Sequence, residues 1–179
     1  FPGARIREAS FRNHRTDQYG GSLQKLARFT LEVIRRVREQ VGADFPILVR
    51  MNGSDYLEGG LTNEEAVLLA KMFVTAGVDA IDVSVATQDS RQWRDLSFLY
   101  PDGAIVHLAA AIKKAVTVPV IAVGKIGNIT LANQIISEGK ADFVAMGRGL
   151  LAEPAMLNKT VEGHSDEIHG CIYCNNCRT

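Results

Sequence analysis

The sequence predicts an α/β protein built on a parallel sheet, and three observations carry that expectation. Short apolar runs rich in branched residues alternate with segments of helical periodicity along most of the chain. Most helical segments stop at a glycine, which closes a helix without a Cβ penalty. At 179 residues, 46% of them hydrophobic, the chain is large enough to bury a core as one globular body. Strand, helix, strand in strict alternation implies crossovers and parallel pairing. Two architectures fit: an open doubly wound sheet, or a (β/α)8 barrel to which this chain brings half of the eight units.

The elements follow in order. Residues 1–21 show no sustained period and carry Arg5, Arg7, Arg12 and Arg15 before Thr16-Asp17-Gln18-Tyr19-Gly20-Gly21, which is loop chemistry. Ser22 is positioned to cap a helix running to Val41, with Leu23, Leu26, Thr30, Val33, Ile34, Val37 and Val41 near helical spacing and Gly42 as the stop. Pro46 to Met51 reads as a strand covered on both faces, with Arg50 as its one charge. Thr62-Asn63-Glu64-Glu65 has the form of a capping box and opens a helix to Ala76, closed by Gly77. Val78 to Val85 is the second strand, followed by a long polar stretch, Thr87 to Asp102, before a helix from Ala104 to Val116. Val118 to Val123 is the third strand, Ile129 to Ser137 a helix ended by Gly139, Asp142 to Met146 the fourth strand, and Leu150 to Val161 mostly helical around Pro154.

Composition narrows the partners. Lys plus Arg and Asp plus Glu both number 20, so no global field draws the chain to nucleic acid or to an anionic membrane. No apolar run approaches the roughly 18 residues of a membrane span and no signal pattern opens the chain, so the expected location is the cytoplasm. A chain that starts at Phe1 and stops just after a cysteine cluster is expected to belong to a longer polypeptide. All three cysteines lie between Cys171 and Cys177, which argues for metal or redox chemistry and against an extracellular disulfide framework.

Three clusters carry candidate chemistry. Gly124-Lys125 and Gly147-Arg148 each follow directly on a strand, and two neighbouring strand ends offering glycine backbone and a cation suit one phosphate group; the alternative is that the glycines only turn the chain and both cations are solvated. Arg50, at a buried strand end, needs compensation: either a carboxylate such as Asp82 or an anionic ligand. Cys171-x2-Cys174-x2-Cys177 has the spacing of an iron–sulfur ligand run but offers three thiolates where a cluster takes four. Zinc with His164 or His169 as fourth ligand, or idle thiols, are the other readings. Gln88, Asp89 and Trp93 are candidates to line a substrate pocket against the simpler reading of an exposed loop, while His14 and His107 show no partner spacing.

Arg15-Thr-Asp-x-Tyr-Gly-Gly-Ser22, Val49-Arg50-x-Asn52, Glu58-Gly-Gly-Leu-Thr62, Val118-Pro-Val-Ile-Ala-Val-Gly124, Ala145-Met-Gly-Arg148 and Cys171-Ile-x-Cys-Asn175 occur in that order across nearly the whole chain. In these the sequence resembles the old yellow enzyme superfamily of NADH:flavin oxidoreductases, in its iron–sulfur branch with 2,4-dienoyl-CoA reductase, enoate reductases and trimethylamine dehydrogenase. The resemblance implies an FMN-binding (β/α)8 TIM barrel of which this chain is the C-terminal half, strands five to eight, over residues 1–162, with residues 163–179 opening a cysteine-rich iron–sulfur segment. It implies that Arg50 contacts the isoalloxazine ring and that Gly124, Lys125, Gly147 and Arg148 hold the FMN phosphate. Many relatives carry arginine where this chain has Lys125, which keeps the charge and gives up the planar fork. Asp17, Tyr19, Gly20 and Gly21 match the loop architecture of the family.

The same resemblance implies that Cys171, Cys174 and Cys177 are three ligands of a [4Fe-4S] cluster, with a fourth cysteine about a dozen residues further on and so beyond Thr179. The implied activity is reduction of an activated C=C bond, of the enoate or dienoyl thioester type, with electrons from NAD(P)H. The alternatives are amine dehydrogenation or a non-catalytic half-barrel. The proton donor belongs to the first half of the barrel, FAD has a place on a further domain, and the expected partners are a small-molecule substrate, the other barrel half and a second copy in a homo-oligomer.

Overall fold

A computed structural model describes residues 13–178, so the expectations on residues 1–12, including Arg5, Arg7 and Arg12, lie outside the described part. Helix α1 (Leu23–Val41) buries Ala27, Leu31 and Ile34 and ends where Gly42, at φ +82°, returns its N–H to the Arg38 carbonyl. Ser22 stands at the N-cap with extended backbone, yet its side chain makes no capping bond. The fourth residue of the turn, Leu26, is held by the Ser22 carbonyl instead, at 2.9 Å.

Strand β1 (Leu48–Asn52) leads to helix α2 (Asn63–Thr75), whose start has the expected capping box: Thr62 accepts from the Glu65 N–H, and the Glu65 carboxylate accepts from the Thr62 N–H. Thr62→Ala is expected to cost about 1 kcal/mol, read as a lower urea midpoint at unchanged slope. Strand β2 (Ala80–Ser84), a short helix α3 (Arg91–Arg94), helix α4 (Val106–Lys113), strand β3 (Val120–Ala122), helix α5 (Ile129–Ser137) and strand β4 (Phe143–Val144) follow. The expected helix Leu150–Val161 is two helices, α6 (Arg148–Ala152) and α7 (Met156–Val161). Pro154 lies in the break, because a proline has no N–H to continue the ladder. Two short 3₁₀ turns, Ser165–Glu167 and Asn176–Arg178, complete the chain.

The four strands are parallel and lie in sequence order, β1-β2-β3-β4. Register aligns Arg50 with Asp82, Asp82 with Ile121 and Ile121 with Phe143, so Leu48, Arg50, Asn52, Ala80, Asp82, Ser84, Ile121 and Phe143 share one face. The other face carries Met51, Ile81, Val83, Val120 and Ala122, all buried beneath α2 and α4 through Leu69, Phe73, Leu108 and Ile112. The first face is half-buried to exposed throughout, with Leu48 at 57% and Phe143 at 58% exposure. The expectation that the Pro46–Met51 strand is covered on both faces therefore fails among the described residues: helices cover one side only.

Two carboxylates repeat one device. Asp79, just before β2, accepts the Ile47 N–H at 2.7 Å and pairs with Arg38, and Asp142, just before β4, accepts the Val120 N–H at 2.8 Å and pairs with Lys113 at 2.7 Å. Each ties the start of one strand to its neighbour and to a helix. Both pKa values are lowered. For Asp79 the chief cause is the bond from Ile47, then Arg38; for Asp142 burial pushes the value up, and the bonds from Lys113 and Val120 outweigh it. A carboxyl whose folded pKa lies below its unfolded value of about 4 contributes stability that is full above that value and lost as pH falls through the folded one. Denaturation midpoints are expected to drop below about pH 4, and the Asp79→Asn/Asp142→Asn double variant to flatten that drop while lowering stability at neutral pH.

Candidate functional site

The turns that leave β3 and β4 stand side by side. At the first, Gly124 has φ +121°, and a Cβ built there would lie 2.1 Å from Ile105 Cγ1 and 2.6 Å from its Cδ1. Only glycine fits that contact and that dihedral. Lys125 follows with φ +55°, and its side chain, 7% exposed, reaches the Tyr100 carbonyl and Asp102 Oδ1 at 3.2 Å. At the second turn Gly147 meets nothing within 4 Å of a built Cβ, so its backbone faces open space. Arg148, the first residue of α6, donates from Nη1 to the carbonyls of Asp95 (3.1 Å) and Leu96 (2.9 Å) and to Asn175 Oδ1.

Lys125 and Arg148 meet on one side chain. The Lys125 ammonium and the Arg148 guanidinium each lie 4.8 Å from the centroid of the Tyr173 ring. Tyr173 is 7% exposed, has φ +53°, and its hydroxyl has no hydrogen-bond partner among the described residues. Burial pushes the phenol up to about 12, with Asp102 adding to the rise, so it is protonated at neutral pH. Asn175, also at positive φ, bridges Arg148 to the Asp95 carbonyl through its Nδ2, at 2.8 Å. Tyr173 and Asn175 were missed in the sequence because they sit inside the cysteine motif, where spacing points to the thiols; an aromatic residue within such a run was the signal.

Arg50 lies apart, on β1. It pairs with Asp82 Oδ2 at 2.5 Å and with Ser84 Oγ at 3.1 Å, and its side chain is 56% exposed on the uncovered sheet face. Asp82 Oδ1 is buried and has no partner among the described residues. The carboxylate expected to compensate Arg50 is thus in contact with it; at this exposure the pair contributes little to stability.

Beyond these groups, Trp93 stacks on Tyr56 at 4.0 Å between centroids and tilts against Tyr100 at 5.2 Å, while the Tyr56 hydroxyl meets His107 Nε2 at 3.1 Å. His107 thus has a structural partner that spacing did not show. Gln88 Oε1 accepts from Arg91 and Arg94. Cys171 is half-buried and Cys174 and Cys177 are exposed, all three as free thiols, and the Tyr173 N–H donates to Cys171 Sγ at 3.3 Å. Among the described residues no three His, Cys, Asp or Glu side chains converge as a metal-binding group. His164 pairs with Glu167 at 3.2 Å. No helix among the described residues is long and apolar enough to cross a membrane.

Residues 9–167 match the NADH:flavin oxidoreductase / NADH oxidase family. The chain is 46% identical over 163 residues to an NADH oxidase of Thermoanaerobacter brockii, covering 91% of this chain and 25% of that protein. It is 35% identical over 179 residues to a cinnamate reductase of Clostridium sporogenes, covering 92% of this chain and 27% of that one. A 2-naphthoyl-CoA reductase structure superposes with a TM-score of 0.87 at 33% identity, over 93% of this chain and 25% of the other. The chain therefore spans about a quarter of the length of the proteins it matches.

Proposed function

The chain belongs to the NADH:flavin oxidoreductase / NADH oxidase family of oxidoreductases, and on that premise we propose that it supplies strands five to eight of a (β/α)8 barrel that binds FMN. A sheet covered by helices on one face and open on the other, with strands in sequence order, supports this reading, since a barrel wall has that form before the other wall closes it. Lys125 and Arg148, with the backbone at Gly124 and Gly147, hold the phosphate; Arg50 faces the ring system. Two strand spacings separate β1 from β3, about 10 Å, which suits a ligand carrying its phosphate and its ring system at opposite ends. The residues fit the group: two cations share one buried contact, an adjacent hydroxyl lacks an acceptor, and the Gly147 backbone is open.

Bound FMN supplies hydride transfer between a reduced nicotinamide and an activated C=C bond. The chain's own residues position the cofactor and set the local charge. Arg50 places positive charge beside the ring, and its exposure leaves the guanidinium free to exchange part of its contact with Asp82 for the ligand. Cys171, Cys174 and Cys177, with the spacing of an iron–sulfur ligand run, would supply three thiolates to a [4Fe-4S] cluster, a reading that favours the iron–sulfur branch. The amide already directed at Cys171 Sγ suits a thiolate.

The observation that carries the reading is the convergence of Lys125 and Arg148 at matching ends of β3 and β4. The full-length protein is expected to release FMN on denaturation, to be reduced anaerobically by NADH or NADPH, and to be reoxidised by an α,β-unsaturated carboxylate or thioester. A protein without flavin even after reconstitution with FMN contradicts it; reduction by an amine in place of a nicotinamide moves it to the amine dehydrogenases.

A further inference from the structure

We propose that Tyr173 is a third ligand of the FMN phosphate, its hydroxyl donating a hydrogen bond to a phosphate oxygen held between Lys125 and Arg148. The inference rests on the FMN reading above and adds to it a ligand from the cysteine loop.

The Tyr173 side chain is costly as it stands. A bulky residue at φ +53° occupies a region that such residues rarely enter. Its hydroxyl is buried and has no partner among the described residues, although buried polar groups are nearly always bonded. Such positions persist where the surrounding structure holds them for function. The hydroxyl rests on Gly127, where a built Cβ would lie 2.1 Å away, and Gly149 faces Gly127, with its own built Cβ 3.4 Å from the Gly127 Cα. The phenol thus ends at the seam between the two glycine-cation turns.

What is missing there is an acceptor. The cations against the ring, Lys125 and Arg148, are donors only, and the Asp102 carboxylate pairs with Lys125 without bonding the hydroxyl, so the hydroxyl is a donor in search of an oxygen. A phosphate monoester brings three acceptor oxygens and the negative charge both cations favour. Riboflavin lacks the phosphate oxygen that this bond needs, so the contact discriminates a phosphorylated flavin from its alcohol.

The test measures dissociation constants of FMN and of riboflavin, by quenching of flavin fluorescence, in the full-length apoflavin protein and its Tyr173→Phe variant. Phenylalanine keeps the ring against both cations and removes only the hydroxyl. The variant is expected to bind FMN about tenfold more weakly or worse, as for a hydrogen bond to a charged group, with riboflavin unchanged. The 31P resonance of bound FMN is expected to shift between the two proteins. Equal weakening of both flavins makes Tyr173 a structural wedge and overturns the proposal, as does unchanged FMN affinity with an unmoved 31P signal. A wild-type protein that does not prefer FMN over riboflavin overturns the phosphate reading itself, and this inference with it.

Discussion

Gly124→Ala is expected to destabilise the fold by roughly 3–5 kcal/mol, the sum of overpacking a filled contact and holding a side chain in a left-handed backbone region. The methyl group would sit 2.1 Å from Ile105 Cγ1, and Ile105 is 3% exposed with no room to retreat. Gly147→Ala is the matching control. It stands at the equivalent turn after β4 at φ −92°, with nothing within 4 Å of a built Cβ, and is expected to leave stability close to wild type. Urea midpoints at constant slope measure both. Equal losses in the two variants would show that the turns are not differently built, and no loss at Gly124 would refute the close approach to Ile105.

Lys125→Met and Arg148→Met are each expected to weaken FMN binding by one to two orders of magnitude, since truncating one partner of a desolvated charge contact costs about 2–5 kcal/mol with part of that recovered by relaxation. The two differ in their side effects. Arg148 also satisfies the Asp95 and Leu96 carbonyls, so Arg148→Met is expected to lose about 1–3 kcal/mol of stability as well. Lys125→Arg restores a planar fork and is expected to hold FMN at least as tightly as wild type. Flavin fluorescence titration resolves the affinities; FMN binding untouched by either methionine variant would remove both cations from the site.

The alternation of strands and helices was readable because periodicity and glycine stops act locally: Ile129–Ser137 is found with the expected bounds, and the Thr62 capping box forms as its spacing requires. The shortness of the last two strands was not readable. Val118 to Val123 yields only Val120–Ala122 and Asp142 to Met146 only Phe143–Val144, because a strand extends only as far as its neighbour pairs with it, and β3 pairs with β2 over three residues and with β4 over two. The bare sheet face follows from the half-barrel reading and not from the apolar runs, since an apolar run reads the same whether one face or two are covered. Gly124 and Lys125 and their counterparts after β4 were legible as paired turns, yet the sequence cannot show that one tyrosine about fifty residues from Lys125 and about twenty-five from Arg148 joins them. Such long-range contacts are set by tertiary packing alone.

The central claim is that one phosphate lies between the turns after β3 and β4, and a crystal structure of the full-length protein with its flavin tests it most directly. The account predicts phosphate oxygens within salt-bridge distance of Lys125 Nζ and the Arg148 guanidinium, beside the backbone of Gly124 and Gly147. A flavin phosphate held elsewhere, with Lys125 still on Tyr100 and Asp102 and Arg148 still on Asp95 and Leu96, would contradict it.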